Sequence, residues 1–307
     1  MQIFKLKPAL KDYLWGGTRL KTDFGFESDL PVVAEAWSFS CHPDGESTVC
    51  GGEYDGITLT ELVEKLGNDC LGNNCADFPF FPMLIKLIDA AKPLSIQVHP
   101  SDEYALKNEN QFGKTEMWYI VDCDEGASLY YGFKGDVSKE EFESRIADGT
   151  LCDILNEVSV HKGDCFFITA GTIHAIGAGI LIAEIQQNSN CTYRVFDYGR
   201  LGADGKPRPL HIEKALAVTE RCAPVHPFGK PENDTLAECE YFKVERLNIA
   251  GEREIYVGED SFSALLCTCG EAEVDGVKME KGDCLFIPAY YGKVKITGDC
   301  EILDSRV

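Results

Sequence analysis

The chain has 307 residues and a formal net charge of −22, from 29 Lys and Arg against 51 Asp and Glu. This acidic balance repels phosphate backbones and anionic lipids, so it argues against nucleic acids and membrane surfaces as partners. No stretch reaches the roughly 18 apolar residues of a membrane-spanning helix, and the N-terminal sequence lacks the apolar core of a signal peptide, so we expect a cytoplasmic protein.

Short strands separated by Gly, Asn, Asp and Pro dominate the sequence, with three helical intervals between them. Periodic apolar residues predict helices over 58–66, 138–146 and 212–218. The second of these begins with the pattern of a capping box, because Ser138 is followed three residues later by Glu141. The chain is therefore predicted to be a β protein decorated by a few helices.

A candidate metal site is formed by polar residues on neighbouring predicted strands. In segment 94–100, LSIQVHP, alternation places Gln97 and His99 on the same face. On the next strand, KTEMWY, Glu116 can approach His99 if both faces point inward. With His174 from a later corner, one carboxylate, two imidazoles and the Gln97 amide suit a divalent ion such as Zn²⁺.

An internal repeat links two distant parts of the chain. Segment 160–170 reads VHKGDCFFITA and segment 279–289 reads MEKGDCLFIPA, so Lys-Gly-Asp-Cys recurs before the same pattern of bulky apolar residues. Two copies of one β unit are predicted. Only the first copy is followed by a histidine, His174, so we expect only the first copy to hold a metal.

The best candidate linker is segment 224–234, PVHPFGKPEND, which has three prolines and no periodicity. It divides the chain into a predicted metal-binding domain over 1–223 and a predicted C-terminal β domain over 235–307.

The fourteen cysteines include no C-x2-C pair, and the chain is far longer than small disulfide-bonded secreted domains. We interpret them as small apolar residues of a protein in a reducing compartment. Cys267 and Cys269, which are the closest pair, are predicted to share one face of a strand.

Arg194 lies within an apolar strand, where a buried guanidinium needs a partner. Two interpretations remain open at this point. Arg194 forms an ion pair with Asp197 or Glu184, or its planar fork recognises a phosphate or a developing oxyanion.

Several of these segments together resemble the motifs of type I mannose-6-phosphate isomerases, in the short bacterial branch of this cupin family. The resemblance is strong over about residues 1–220 and extends to the C-terminal part only by architecture. The segments that carry it are LWGG (14–17), EAWS (35–38), FPMLIKLID (81–89), LSIQVHP (94–100), GKTEMWY (113–119), AGTIHA (170–175) and NSNCTYRVFDYGR (188–200).

The resemblance implies an all-β double cupin, that is, two jelly-roll barrels, and a zinc enzyme that interconverts mannose 6-phosphate and fructose 6-phosphate. It implies one Zn²⁺ per chain, held by Gln97, His99, Glu116 and His174. The substrate would be a small sugar phosphate, and the oligomeric state, monomer or homodimer, stays open.

Residues with implied catalytic or substrate-binding roles surround these ligands. Arg194 matches the catalytic arginine of the family, and Lys86 and Lys114 match lysines that line its pocket. Glu184 is a further substrate-binding residue and one candidate for proton transfer. A departure from the family pattern occurs at 190–192, Asn-Cys-Thr, and concerns the fine positioning of the neighbouring Arg194.

Two other functions are compatible with the same residues. A cupin of another enzymatic class, such as a dioxygenase, would use the His and Glu ligands with iron and would consume oxygen. A non-catalytic sugar-phosphate-binding cupin would keep the pocket without turnover.

Overall fold

The computed structural model describes residues 2–202 and 205–307, which form mostly antiparallel strands in three sheets. This confirms the predicted all-β class. Five short helices decorate the described ranges, together with three single turns of 3₁₀ helix. The helices are α1 (Arg19–Thr22), α2 (Leu59–Leu66), α3 (Asp102–Asn108), α4 (Lys139–Ala147) and α5 (Ile212–Val218), and the 3₁₀ turns are Asn68–Leu71, Asn73–Cys75 and Leu151–Ile154.

Two of the sheets face each other and enclose the first barrel. The six-stranded sheet has the order β10-β7-β12-β5-β3-β2, and the five-stranded sheet has the order β13-β6-β11-β8-β9. Their bounds are β2 (Ala9–Lys11), β3 (Glu35–Phe39), β5 (Met83–Ala90), β6 (Ile96–Val98), β7 (Glu116–Cys123), β8 (Ser128–Phe133), β9 (Leu155–Ser159), β10 (Cys165–Ile168), β11 (His174–Ala175), β12 (Ile180–Gln187) and β13 (Tyr193–Phe196). Apolar side chains from both sheets, including Trp118 and Tyr131, form one buried cluster between them.

The third sheet has eight strands and forms the C-terminal barrel. Its bounds are β1 (Phe4–Lys7), β4 (Thr48–Cys50), β14 (Thr235–Glu238), β15 (Lys243–Val257), β16 (Ser263–Val274), β17 (Val277–Glu280), β18 (Cys284–Ile287) and β19 (Gly292–Arg306). Its long strands contribute apolar residues from both of their halves to one core, such as Leu247 and Val257 of β15. This core is filled by side chains.

The N-terminal strand β1 belongs to the C-terminal sheet, where Phe4 lies opposite Phe286 of β18. Strand β4 extends the same sheet by pairing with β1. The two parts of the chain therefore share a sheet as well as a core, and the linker at 224–234, with domains over 1–223 and 235–307, stays a prediction. Within that linker, Gly229 makes an isolated bridge to Cys165.

The six-stranded sheet separates two environments. Its outer face packs on the eight-stranded sheet through a large apolar cluster, in which the rings of Phe39 and Phe262 lie 5.3 Å apart. Its inner face carries a row of polar and aromatic residues into the first barrel, because strand neighbours alternate between faces.

The predicted helices are confirmed with small shifts at their ends. Helix α2 begins after Thr58, which forms a complete capping box with Glu61. Helix α4 begins after Ser138, whose hydroxyl accepts from the Glu141 backbone N–H at 3.1 Å. The return bond from the Glu141 side chain that the sequence predicted is not part of this cap; that carboxylate lies instead 3.6 Å from Arg145, one turn further on. None of the helices in the described ranges is long and apolar enough to cross a bilayer.

The internal repeat is confirmed in its backbone geometry. In both copies the glycine of Lys-Gly-Asp-Cys has a positive φ, 89° at Gly163 and 95° at Gly282. In both copies the following aspartate accepts a backbone N–H three residues back, at 2.8 Å in Asp164 and 2.7 Å in Asp283. Each turn then enters a buried strand, β10 or β18.

The prediction that Cys267 and Cys269 share a face is wrong. The register of β16 against β19 shifts between these two residues, so Cys267 is buried and Cys269 is exposed. Such an irregularity adds a residue to one strand and reverses the alternation of faces beyond it. All fourteen cysteines are free thiols.

Candidate metal centre and active site

Three strands of the five-stranded sheet bring the first group of site residues together. In the register, His174 of β11 lies opposite Gln97 of β6, which in turn lies opposite Arg194 of β13. The intervening residues Ile96 and Val98 belong to the apolar cluster on the other side of this sheet. The predicted alternation is therefore correct, and it directs Gln97 into the barrel.

The six-stranded sheet contributes the second group. Glu184 of β12 lies between Lys86 of β5 and Trp118 of β7, which forms a row across three strands. Glu116 begins β7 and shares the inner face with Trp118, as the sequence predicted. Both groups of residues meet in the interior of the first barrel.

His99, Glu116 and His174 form a compact cluster that could hold a metal ion. All three are buried, and their ligand atoms lie within 4.8 Å of one another. Glu116 Oε2 is 3.6 Å from His99 Nε2, and Glu116 Oε1 is 3.4 Å from His174 Nε2. The expected approach of Glu116 to His99 is thus confirmed.

Both imidazoles are oriented by backbone carbonyls. His99 Nδ1 lies 3.0 Å from the Cys191 carbonyl oxygen, and His174 Nδ1 lies 2.9 Å from that of Thr172. Because a carbonyl only accepts, each Nδ1 carries the proton and each Nε2 presents a lone pair to the cluster, as metal-ligating histidines do. Burial lowers the pKa of His99 well below its usual value and that of His174 to about 4, which favours the neutral form that binds metals.

The Glu116 carboxylate supplies an independent test of whether a cation fits this cluster. The side chain is completely buried, and within the described ranges neither of its oxygens accepts a hydrogen bond in acceptable geometry. Lys114 Nζ lies 2.5 Å from Oε2 as an ion pair, but nothing comparable serves Oε1. A buried carboxylate oxygen without a donor is costly, and a metal ion held with the two histidines would satisfy it.

Burial raises the pKa of Glu116 to about 7, and the neighbouring Glu184 charge adds to this effect. Gln97 Nε2 lies 3.4 Å from His174 Nε2, so the amide presents its nitrogen to the cluster. To act as the predicted oxygen ligand, this amide would have to rotate by half a turn.

Lys86 and Lys114 are buried, and each is paired with carboxylates. Lys86 Nζ is 3.1 Å from Glu184 and 3.9 Å from Glu35, and Lys114 Nζ is 3.5 Å from Glu184 and 3.3 Å from His99 Nε2. Burial alone would lower the pKa of Lys86, but the carboxylates of Glu184 and Glu35 outweigh it and raise that pKa. The positive charges of Lys114 and Lys86 in turn outweigh the effect of burial on Glu184 and lower its pKa to about 2.

Two aromatic residues that the sequence analysis did not single out hold this network in place. Trp118 Nε1 donates to Glu184 Oε2 at 3.0 Å, and Trp37 Nε1 donates to Glu35 Oε2 at 2.6 Å. Lys86 Nζ also lies 4.9 Å from the centre of the Trp37 ring, as a cation–π contact. The sequence did carry a signal for these two tryptophans, because each stands close to a charged site residue in the EAWS and KTEMWY motifs.

Arg194 is half-buried, and neither predicted ion pair forms. Asp197 is instead paired with Arg200 and Arg208. Arg194 Nη1 donates to the Pro209 carbonyl at 2.9 Å, and its Nε has no hydrogen-bond partner in the part of the chain that the structure describes. The ion-pair interpretation is thus wrong, because the two other arginines occupy the carboxylate.

A separate cavity of about 650 Å³ lies between α2 and the segments 68–82 and 110–112. It is lined by aromatic residues such as Phe78 and Phe112 and includes none of the cluster residues. This cavity is therefore separate from the candidate metal cluster.

Two antiparallel barrels with a buried His/Glu/His cluster in the first of them define a cupin with a candidate metal centre. The chain matches the model of the phosphomannose isomerase type I catalytic domain over residues 3–125 and that of the mannose-6-phosphate isomerase cupin domain over 232–307. It belongs to the family of type I mannose-6-phosphate isomerases.

Full-length relatives support this membership. The chain is 39% identical to the mannose-6-phosphate isomerase ManA of Bacillus subtilis, with 98% of each chain covered. It is 36% identical to the mannose-6-phosphate isomerase of Streptococcus mutans, covering 98% of this chain and 97% of the relative. The crystal structure of the mannose 6-phosphate isomerase from Bacillus subtilis superposes with a TM-score of 0.90 at 34% identity, with both chains fully covered.

A more distant mannose 6-phosphate isomerase, which has been crystallised with zinc and yttrium, shares the fold. It is 18% identical, with a TM-score of 0.78 over 99% of each chain. The double-cupin architecture predicted from the sequence is therefore confirmed.

Proposed function

We propose that this protein interconverts mannose 6-phosphate and fructose 6-phosphate as a zinc-dependent aldose–ketose isomerase. One observation carries the proposal: a chain that matches named isomerases over nearly its whole length buries His99, Glu116 and His174 beside two lysines and an arginine. Neither a dioxygenase nor a non-catalytic binding module requires this combination of groups.

His99, Glu116 and His174 would hold the ion, with Gln97 as a fourth ligand after rotation of its amide. This mixed nitrogen and oxygen set suits Zn²⁺, one ion per chain. When bound, the ion would polarise the carbonyl and hydroxyl oxygens at C1 and C2 of the open-chain sugar.

The chain's own residues would stabilise the charge that develops on those oxygens. Isomerisation removes a proton from C2 and returns one to C1, while negative charge builds on the enediolate oxygens. Arg194 lies opposite Gln97 in the strand register, and its Nε has no hydrogen-bond partner in the described part of the chain, so its guanidinium would stabilise this charge. Lys86 would bind the sugar oxygens as a fixed positive charge with Lys114 beside it, and the carboxylate partners of both lysines keep them in position.

The proton carrier must lie close to the cluster. The raised pKa of Lys86 keeps this group protonated at neutral pH and makes it a poor base. Lys114, which is close to both His99 and Glu116, and the ionised Glu184 are then the candidates for moving the proton between C2 and C1, although the low pKa of Glu184 makes it a weak base.

We also propose a cytoplasmic location. All fourteen cysteines are free thiols, and free thiols persist in reducing compartments.

The first experiment is a coupled isomerase assay on mannose 6-phosphate, before and after chelation, with metal analysis of the same samples. We expect one zinc per chain, loss of activity on chelation, and recovery when zinc is returned. Full activity after complete removal of metal would refute the zinc dependence. Tight binding of the sugar phosphate without turnover would favour a binding module, and oxygen consumption would favour another cupin enzyme.

The second experiment separates Arg194 from the metal. Arg194→Ala should lower turnover by about 100-fold or more while zinc stays bound, because it removes one stabilising donor from the oxyanion. Arg145→Ala on the surface helix α4 is the control and should keep full activity. Unchanged turnover in Arg194→Ala would reject the assigned role.

A further inference from the structure

Two arginines pair with one carboxylate at the end of β13, and a third arginine, Arg194, lies within range of their charges. Asp197 follows this strand directly, and Arg200 and Arg208 adjoin the two partners of an isolated bridge, Leu201 and Pro207. Arg208 donates from Nε to Asp197 Oδ2 at 2.7 Å and from Nη2 to Oδ1 at 2.5 Å. Arg200 donates from Nη2 to the same Oδ1.

This arginine cluster carries a surplus of positive charge. Asp197 neutralises one guanidinium, whereas Arg194 lies close enough for the charges of Arg200 and Arg208 to act on it. Three positive charges against one negative charge leave a surplus of two. Both guanidiniums that touch Asp197 are about a fifth exposed, so the surplus faces solvent while the carboxylate itself is buried.

The lysines deeper in the barrel carry no such surplus. Lys86 and Lys114 are two positive charges in contact with three carboxylates. Before any metal binds, this group has one negative charge in excess. The three carboxylates are Glu35, Glu116 and Glu184. With a divalent cation bound the same group would carry one positive charge, still fewer than the two at the arginine cluster, so the arginines would attract a second anionic group more strongly.

The arginine cluster adjoins the strand that carries Gln97. Tyr193 and Val195 pack into the apolar cluster outside the five-stranded sheet, so Arg194 between them belongs to the inner face, opposite Gln97. Arg200 Nη1 donates to the carbonyl of Pro93, which leads into β6. Four residues of extended chain separate Pro93 from Gln97, or about 13 Å at ~3.3 Å per residue.

From this placement we infer that Arg200 and Arg208 anchor the phosphate of the sugar substrate, while Arg194 beside them stays with the enediolate oxygens. Planar guanidinium forks match phosphate oxygens, and Asp197 aligns two of them while neutralising only one. The inference rests on the proposed isomerase function. It assigns the phosphate to the arginine pair and leaves Lys86, with Lys114 beside it, to the sugar oxygens, and it makes a terminal phosphate monoester the feature that selects the substrate.

The test compares Arg208→Gln with a matched control, Arg306→Gln. Arg306 also donates from Nε and Nη2 to a buried aspartate, Asp304, but lies in the C-terminal barrel. Two constants are measured for each protein: KM for mannose 6-phosphate, and the dissociation constant of inorganic phosphate by calorimetry on the zinc-loaded protein. Arg208→Gln should raise both by about tenfold or more, the effect of losing a charge-assisted hydrogen bond, and should lower kcat by less. Arg306→Gln should match the wild type.

The outcomes distinguish the inference from the function on which it rests. A wild-type protein that binds phosphate but does not isomerise mannose 6-phosphate would refute the function and leave the anion site standing. An active wild type whose KM and phosphate constant are both unchanged in Arg208→Gln would refute the anchor. Equal weakening in Arg306→Gln would also refute it, because the effect would then be general.

Arg208→Gln also leaves Asp197 with one partner fewer, so it could reduce folding. If circular dichroism shows that this variant is unfolded, Arg208→Lys takes its place, because it keeps the charge beside Asp197 and loses the fork. A rise of about threefold or more in the phosphate constant of the lysine variant would support the anchor. An unchanged constant would overturn it.

Discussion

Glu184 is the residue on which the buried ion-pair network depends, so Glu184→Gln is the most informative single change for stability. Its carboxylate is 3% exposed and contacts Lys86 at 3.1 Å, Trp118 Nε1 at 3.0 Å and Lys114 at 3.5 Å. Glutamine preserves the shape and can still accept from Trp118, so the change removes little besides the negative charge.

Two arguments give the size of the expected loss. The pKa of Glu184 is lowered from its usual 4.5 to about 2, and at 1.36 kcal/mol per unit this difference is worth about 3 kcal/mol. Removing one partner of a buried pair costs about 3–5 kcal/mol. The lower end applies here, because Lys86 keeps Glu35 and Lys114 keeps Glu116.

The sign of the pH dependence follows from the lowered pKa. Between the folded value of about 2 and the unfolded value near 4.5, the unfolded chain binds the proton more strongly. The contribution of Glu184 is therefore complete above pH 4.5 and is lost as the pH falls toward 2. Measurements at pH 7 report all of it.

The assay is urea denaturation at pH 7, with the wild type, Glu184→Gln and a control. The control is Glu254→Gln, which removes an exposed partner of Lys293 at a similar distance of 2.8 Å and should leave the midpoint unchanged. We expect Glu184→Gln to lose about 3 kcal/mol of unfolding free energy at an unchanged slope. A loss below about 1 kcal/mol would refute the reasoning.

Three further experiments, two substitutions and one labelling reaction, test other parts of the structure. His174→Ala should lose zinc and activity together, and stoichiometric zinc in the folded variant would argue against this ligand. Gly17→Ala should destabilise the protein by about 1–3 kcal/mol in urea, because a Cβ there would lie 2.2 Å from Asp89 Oδ2; an unchanged midpoint would contradict this. In native protein at pH 8, a thiol reagent followed by mass spectrometry should label the exposed Cys50 and Cys269 first, and rapid labelling of all fourteen would contradict the burial of the rest.

Local patterns in the sequence predicted the metal cluster because strand alternation is a local property. Gln97 and His99 alternate with apolar residues within one strand, so their common direction could be read without knowing any partner strand. The turn of Lys-Gly-Asp-Cys is local in the same way, since its glycine and aspartate determine the backbone bend and its hydrogen bond. These predictions needed only neighbours a few residues apart.

The features that the sequence did not predict depend on contacts between distant segments. Strand β1 joins the C-terminal sheet by pairing with β18, nearly the whole chain away, and nothing in the sequence of Phe4–Lys7 indicates this partner. The register shift beside Cys267 depends on how β16 is matched to β19. Asp197 pairs with Arg200 and Arg208 rather than with Arg194, because the fold brings Arg208 back to this carboxylate.

The net charge of −22 and the proposed anionic substrate are compatible because charge acts over a limited distance. At physiological salt, interactions between exposed charges are largely screened beyond about 8 Å. A large polyanion would meet many acidic side chains at once, so from the net charge we expect it to bind poorly. A small sugar phosphate meets only the groups around its binding site, and at the proposed phosphate anchor Arg194, Arg200 and Arg208 outnumber Asp197. The overall charge therefore bears on which class of partner we expect and does not determine the affinity of this site.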